Sequence, residues 1–258
     1  MLEGHVILIT GSNSGIGFAT AKLCLKAGAK VVVHGRDRAE VKAAAEQLGK
    51  LASFVVADLS EPGAPEKIIA DINARFGRLD GLVNNAARLD RNNIESLSED
   101  LFFQMMTVNT LAPLKLIQAA LPVMKAQSGG GAVVNIGSTN AHCGATNLLV
   151  YSMSKGAMMT ATRNLGDALA KDNIRVNQLN VGWTLTESEK RLQISEGQGE
   201  NWLENIPEAF TPSGTILQPE QIAEHVIFWL SDKSAPVTGQ VCDIEQYPVI
   251  GRNKISER

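Results

Sequence analysis

Tyr151 and Lys155, in the stretch V-Y-S-M-S-K-G-A, are the residues whose types and spacing most readily do chemistry. The stretch has helical character, and side chains four apart on a helix project from one face, so a phenol and an ammonium can act together there. A free phenol has a pKa of about 10 and is a poor base near neutral pH, but a neighbouring ammonium favours the phenolate and brings it nearer to working pH. Ser138, closing the apolar run A-V-V-N-I-G-S, adds a hydroxyl able to hydrogen-bond an oxygen as it gains or loses charge. Together the three suggest proton transfer at an oxygen. A tyrosine and a lysine four apart are also common on ordinary amphipathic helices, so the case depends on what the rest of the chain places around them.

The elements that must hold them alternate regularly. V-I-L-I-T, K-V-V-V-H-G, S-F-V-V-A-D, G-L-V-N-N-A, A-V-V-N-I-G-S, I-R-V-N-Q-L-N-V-G and Q-V-C-D-I-E read as strands. Helix-length stretches lie between them: G-I-G-F-A-T-A-K-L-C-L-K-A-G-A sets Ile16, Ala19, Leu23 and Ala27 on one face, and G-A-P-E-K-I-I-A-D-I-N-A-R-F-G ends on a glycine suited to a C-cap. Parallel strands need a crossover of a dozen or so residues. This rhythm therefore predicts an α/β fold, a single-domain doubly wound parallel sheet of about seven strands with helices on both faces. At 258 residues and 44% hydrophobic, the chain can fill such a core as one domain over residues 1–258.

Two regions exceed what the sheet needs. The long helical stretches S-E-D-L-F-F-Q-M-M-T-V-N-T-L-A-P-L-K-L-I-Q-A-A-L-P-V-M-K-A-Q and L-L-V-Y-S-M-S-K-G-A-M-M-T-A-T-R-N-L-G-D-A-L-A-K-D carry surplus apolar surface, which suits a subunit interface. Residues 184–214 form a polar segment punctuated by Gly197, Gly199, Pro207, Pro212 and Gly214. Its length and composition suit a lid over a site, with a plain solvent excursion as the alternative.

Composition and motifs exclude several classes. A net charge of −3 offers no general attraction to nucleic acid or anionic membranes, and the apolar run in the N-terminal M-L-E-G-H-V-I-L-I-T is too short for a signal peptide or a span. The cysteines Cys24, Cys143 and Cys242 are odd in number and widely spaced, which fits a reducing, cytoplasmic setting. His5, His34, His142 and His225 lack metal-ligand spacing, so no metal is expected. Ser138 stands in I-G-S-T-N rather than G-x-S-x-G, which does not support a hydrolase elbow.

The stretch I-T-G-S-N-S-G-I-G-F-A-T follows the first strand and opens the first helix. Gly11, Gly15 and Gly17 allow a tight turn and close approach of a ligand, and Ser14 and Ile16 stand among them where the helix N-terminus can receive a pyrophosphate. A dinucleotide is the expected cofactor; no lysine stands where a triphosphate loop needs one. After the second strand, V-V-V-H-G-R-D puts Gly35 where a ribose-binding acid usually stands and Arg36 next. A guanidinium there can hold a 2′-phosphate, so NADP(H) is expected, with NAD(H) the alternative if Asp37 binds the ribose after a one-residue shift.

From T-G-S-N-S-G-I-G to T-G-Q-V-C-D-I-E the chain resembles the short-chain dehydrogenase/reductase family, a Rossmann-type fold in its ordinary form of about 250 residues. The resemblance implies that Asp58 in A-D-L-S binds the adenine amino group with Leu59 beside it. It also implies that Asn84 and Ala86 in N-N-A-A lie along the adenosine. Asn109 in M-M-T-V-N-T resembles the asparagine that supports a proton-relay water, and Ser138, Tyr151 and Lys155 the catalytic residues, with Lys155 also holding the nicotinamide ribose. Thr184 and Thr186 stand where the family binds the carboxamide. Ala87 replaces the usual glycine of N-N-A-G, and Val181 a common proline. The implied reaction is interconversion of a secondary alcohol and a ketone, by a homotetramer.

Substrate signals are fewer. The polar character of the 184–214 segment favours a small hydroxylated substrate, such as a sugar, polyol or hydroxy acid, over a 3-oxoacyl chain or steroid. Ser138, His142 and Tyr151 are the expected substrate contacts, with Arg88 and Arg91 able to meet an anionic group. A catalytically silent NADP-binding regulator is the alternative from another class, although no catalytic side chain is missing.

Overall fold

A computed structural model describes residues 1–249. All seven expected strands form: β1 (Val6–Ile9), β2 (Lys30–Gly35), β3 (Ala52–Val56), β4 (Gly81–Asn84), β5 (Gly131–Ser138), β6 (Ile174–Val181) and β7 (Val241–Ile244). They pair in parallel in the order β3-β2-β1-β4-β5-β6-β7. The strand order reverses between β1 and β4, and a crevice opens beyond the carboxyl ends of the strands at that point.

Eight α-helices lie among the described residues. Helices α1 (Gly15–Lys26), α2 (Arg38–Leu48) and α8 (Pro219–Leu230) pack on one face; α3 (Ala64–Phe76), α5 (Ala112–Lys125) and α6 (Leu149–Leu169) on the other, with α4 (Glu99–Met106) leading into α5 and α7 (Glu187–Ser195) outside the sheet layers. Alternate residues of one strand therefore enter different cores: Val83 and Val134 meet α1 and α8, while Leu82 and Val133 meet α3 and α5. This is why the strands read as unbroken apolar runs.

Local chemistry sets the helix starts. The Asp37 carboxylate accepts from the Ala39 and Glu40 N–H groups, Ser98 from Leu101, and Thr186 from Glu189, capping α2, α4 and α7. The first long stretch is not one α-helix. A π-helical turn, Thr107–Leu111, separates α4 from α5 and carries Asn109.

Candidate active site

The glycine turn assigns a separate task to each glycine. Gly11 and Gly15 have φ of 59° and 55°, the left-handed region that glycine enters without strain. A Cβ on Gly17 would lie 2.4 Å from the Gly11 carbonyl oxygen, so that position serves close packing of α1 against the turn. Ser14, the N-cap of α1, makes no capping hydrogen bond, and the first N–H groups of the helix are left for a ligand. Ile16 is half-buried against the core. Two further side chains fix this turn, His34 from β2 and Asn85 from within N-N-A-A. His34 Nδ1 accepts from the Gly11 N–H at 3.2 Å, and burial lowers its pKa to about 4. Asn85 Nδ2 donates to the Thr10 and Gly11 carbonyls, both at 2.9 Å.

At the far end of the crevice Arg36 is exposed and near enough to Asp58 to lower its carboxyl pKa. The larger cause is a pair of hydrogen bonds from the Ser60 hydroxyl and N–H to Asp58 Oδ1. Asp37 caps α2 through Oδ1, which accepts from the Ala39 and Glu40 N–H groups. The Leu59 side chain is buried in the core, and only its main chain is available at the crevice. Ala86 lies against Gly11, where a Cβ would come within 2.9 Å of it. Asn84 departs from expectation. Its side chain turns into the sheet, donating to Asn135 Oδ1 at 2.8 Å, because it alternates with Val83 onto the α6 face. Its own Oδ1 is buried without a partner among the described residues.

The residues expected to transfer the proton come together at the end of β5. Tyr151 stands close enough to the Ser138 hydroxyl for that hydroxyl to favour the phenolate. Ser138 Oγ accepts from the Asn140 N–H at 3.2 Å and from its side-chain amide at 3.3 Å, so the serine proton is left to point at the phenol. Lys155 is buried, donates to the Ile136 carbonyl at 2.8 Å and stands 5.6 Å from the Tyr151 ring centre. Burial lowers the lysine pKa to about 8. The phenol, however, is not activated as the sequence suggested. Burial raises its pKa, the Ser138 hydroxyl opposes that, and the Glu189 carboxylate adds to it.

Positioning comes from Asn92, which the sequence did not single out, and from Asn109, which it did. Asn92 Oδ1 accepts from the Val150 N–H at 3.0 Å, and its carbonyl accepts from Leu149 at 3.1 Å, so a buried loop residue seats the first turn of α6 beside Tyr151. Asn109 Nδ2 donates to the Arg88 carbonyl at 2.9 Å and to Ser154 Oγ at 3.0 Å, and Ser154 donates to the Tyr151 carbonyl at 2.7 Å. The π turn is thereby tied to the catalytic helix.

His142 lies at the end of a polar chain. Asn84 donates to Asn135, Asn135 to Thr162, Thr162 to Gln178, Gln178 to Asn180 and Asn180 to Asp243, whose carboxylate pairs with His142 Nε2 at 2.9 Å. Every donor points toward Asp243, and this orients each buried amide under α6. Arg88 pairs with Asp90 and Gln104, and Arg91 with Glu196, so both loop arginines are engaged within the protein.

Thr184 and Leu217 form an isolated parallel bridge that closes the base of the polar excursion. Thr184 donates to the Gly182 carbonyl at 3.1 Å. Thr186 packs its methyl group on Gly15, 3.3 Å from a Cβ built there, and so brings the start of α7 over the glycine turn. The excursion is less polar inside than its composition implied: Trp202 is buried and stacks on Trp183 at 5.6 Å, with Phe210 edge-on at 6.2 Å. Among the described residues no cluster of three or more His, Cys, Asp or Glu could hold a metal, and no helix is long and apolar enough to cross a membrane.

Residues 11–246 match the family model described as enoyl-(acyl carrier protein) reductase. A short chain dehydrogenase of Penicillium brasilianum is 32% identical over 253 residues, covering 95% of this chain and 96% of the relative. The 3-ketoacyl-(acyl-carrier-protein) reductase of Brucella melitensis, solved with NADH, superposes with a TM-score of 0.84 at 30% identity, covering 95% of this chain and 98% of that one. The L-sorbose reductase of Gluconobacter frateurii, solved with NADPH and L-sorbose, gives 0.88 at 28% identity, covering 95% and 96%. These matches are named as enzymes, which sets aside the alternative of a catalytically silent regulator.

Proposed function

The chain belongs to the short-chain dehydrogenase/reductase family and is an oxidoreductase of that family, and from this we propose that it interconverts a secondary alcohol and a ketone with NADP(H) in preference to NAD(H), on a small polar substrate such as a sugar, polyol or hydroxy acid. The observation that carries the reading is the buried Lys155 ammonium, held by the Ile136 carbonyl and 5.6 Å from the Tyr151 ring centre, with Ser138 at the end of the adjoining strand.

The crevice fits a dinucleotide. Gly11 and Gly17 leave no room for a Cβ, and the uncapped start of α1 with Ser14, Gly15 and Ile16 suits a pyrophosphate. Arg36 would hold a 2′-phosphate, Asp58 the adenine amino group, the Asn84 main chain and Ala86 the adenosine, Lys155 the nicotinamide ribose, and Thr184 and Thr186 the carboxamide. The bound nicotinamide supplies the hydride chemistry.

This chain's residues then handle the proton. A phenol pushed above its ordinary pKa is protonated at neutral pH, so Tyr151 Oη is set to give a proton to a carbonyl oxygen, and the same atom takes one from an alcohol in reverse. Ser138 holds that oxygen by hydrogen bond. Asn109, locked to Arg88 and Ser154, keeps the π turn in register with α6 and supports the route that returns a proton to Tyr151. The 184–214 segment acts as a lid, with Arg91–Glu196 joining it to the loop after β4. The exposed Phe103, Leu111 and Met153 on α4, the π turn and α6 suit burial in a homotetramer.

Binding of NADPH and NADH by fluorescence titration, followed by a screen of ketoses, polyols, hydroxy acids, 3-oxoacyl esters and sterols at the nicotinamide absorbance, tests the reading. Tyr151→Phe should lose turnover while keeping nucleotide affinity, and Arg36→Ala should weaken NADPH more than NADH. Undiminished turnover by Tyr151→Phe would overturn the mechanism.

A further inference from the structure

Asn13 is half-buried between Ser12 and Ser14 of the glycine turn, and its side chain reaches across to β2 and α2. Gly35, at the end of β2, has no room for a side chain of its own. A Cβ built there would lie 2.6 Å from Val41 Cγ2 and 2.8 Å from Asn13 Oδ1. The place from which a ribose-binding acid would project is therefore filled by the Asn13 amide, supplied by the neighbouring turn. On its other side Asn13 Nδ2 donates to Glu40 Oε2 at 3.0 Å, and Glu40 stands in the first turn of α2.

That contact decides which way the amide faces. An ionised carboxylate only accepts hydrogen bonds, so the amide nitrogen turns to Glu40 and the oxygen to Gly35. Two opposed signals then meet at this edge of the crevice. Arg36, exposed and next along the chain from Gly35, offers a guanidinium suited to a 2′-phosphate. Asn13 Oδ1 offers an acceptor, which suits a 2′-hydroxyl but sets lone pair against lone pair for a phosphate oxygen, with the Glu40 charge behind it. We propose that the Asn13–Glu40 pair selects at the 2′ position of the adenosine ribose: it holds the hydroxyl of NAD(H) and works against Arg36 for NADP(H), so that the enzyme uses both nucleotides and prefers NADP(H) only narrowly. The proposal rests on the dinucleotide reading above and deepens it.

An acid in the first turn also suits the positive end of a helix dipole, so Glu40 has an ordinary structural use as well. A purely structural role moves both nucleotides together, or the melting temperature alone; a role at the 2′ position moves the ratio between them. Adenosine 2′,5′-bisphosphate and 5′-AMP differ only in the 2′ group. Their relative binding reads this subsite apart from the nicotinamide end and without turnover.

The experiment measures Kd by calorimetric titration of NADPH, NADH and the two adenosine phosphates into wild type, Glu40→Gln, Asn13→Ala and Arg36→Ala, with Tm followed alongside. Glutamine at position 40 removes the charge and can accept as well as donate, which frees the Asn13 amide to flip and donate to a phosphate. Glu40→Gln should therefore raise the affinity for NADPH relative to NADH by roughly 10-fold, and that for the bisphosphate relative to AMP with it. Asn13→Ala should weaken NADH by roughly 3- to 10-fold and leave NADPH nearly unchanged. Arg36→Ala should lower both ratios. Ratios unmoved in Glu40→Gln or in Arg36→Ala, equal weakening of NADPH and NADH by Asn13→Ala, or a wild type that binds one nucleotide more than about 100-fold tighter than the other would each overturn the proposal. Wild type that binds both nucleotides, with ratios that Glu40→Gln leaves alone, removes only the role of the Asn13–Glu40 pair. Wild type that binds neither nucleotide removes the dinucleotide site on which it rests.

Discussion

Acidification should loosen this protein through His34 before its surface carboxylates titrate. The imidazole is buried on β2 and accepts the Gly11 N–H at Nδ1, so the native state requires its neutral form. Its pKa is lowered from 6.5 to about 4, chiefly by burial, against smaller opposing pulls from the Ala57 main chain and the Asp58 charge. Because the folded value is depressed, the stability is present above pH 6.5 and is lost as pH falls toward 4, where the unfolded chain binds a proton that the native protein refuses. Integrating between those values gives a loss of about 2 kcal/mol from pH 7 to pH 5 and about 3 kcal/mol by pH 4. The assay is urea unfolding at half-unit pH steps for wild type and His34→Asn. Asparagine keeps an acceptor near the Nδ1 position but cannot titrate. Wild type should lose stability across the window while the variant, offset by its smaller side chain, stays nearly flat from pH 7 to pH 5. Parallel curves for the two proteins would refute the reasoning. Nucleotide affinity should fall with wild-type stability, since the same protonation removes the acceptor that shapes the Gly11 turn.

Two further perturbations separate stability from function. Lys155, lowered from 10.5 to about 8, is a charge the native state binds reluctantly at pH 7. Lys155→Met should raise unfolding free energy by about 2 kcal/mol after loss of the Ile136 hydrogen bond, several degrees in Tm, while turnover is abolished; a lower Tm with intact fold would contradict it. Asn92→Ala removes the acceptor for Val150 N–H and the donor to Asp90 and should cost about 1–2 kcal/mol. Calorimetry and steady-state kinetics should show a fall in kcat with nucleotide affinity nearly unchanged, because α6 is displaced and the glycine turn is not.

Much of the site was legible because its motifs are local. Gly11, Gly15 and Gly17 lie between a strand and a helix, and Tyr151 and Lys155 need only helical spacing to share a face. Asn92 and His34 left no such signal, and Asn85, although inside N-N-A-A, takes its role only where the fold sets it against the glycine turn. Each acts on residues far away in sequence, Asn92 on Val150 and His34 on Gly11, and a buried amide or imidazole acquires its role only from what the fold sets opposite it. The polar composition of the excursion likewise hid its interior, where Trp202 meets Trp183.

Periodicity and spacing in the sequence determined the seven parallel strands, the glycine turn and the shared helix face of Tyr151 and Lys155, because these follow from interactions between near neighbours. Tertiary structure decided their states. Burial, which no local pattern encodes, set Lys155 near 8 and raised Tyr151 instead of lowering it. The strand alternation turned Asn84 into the sheet, and the return of α7 over Gly15 brought the Glu189 charge to a tyrosine far from it in sequence.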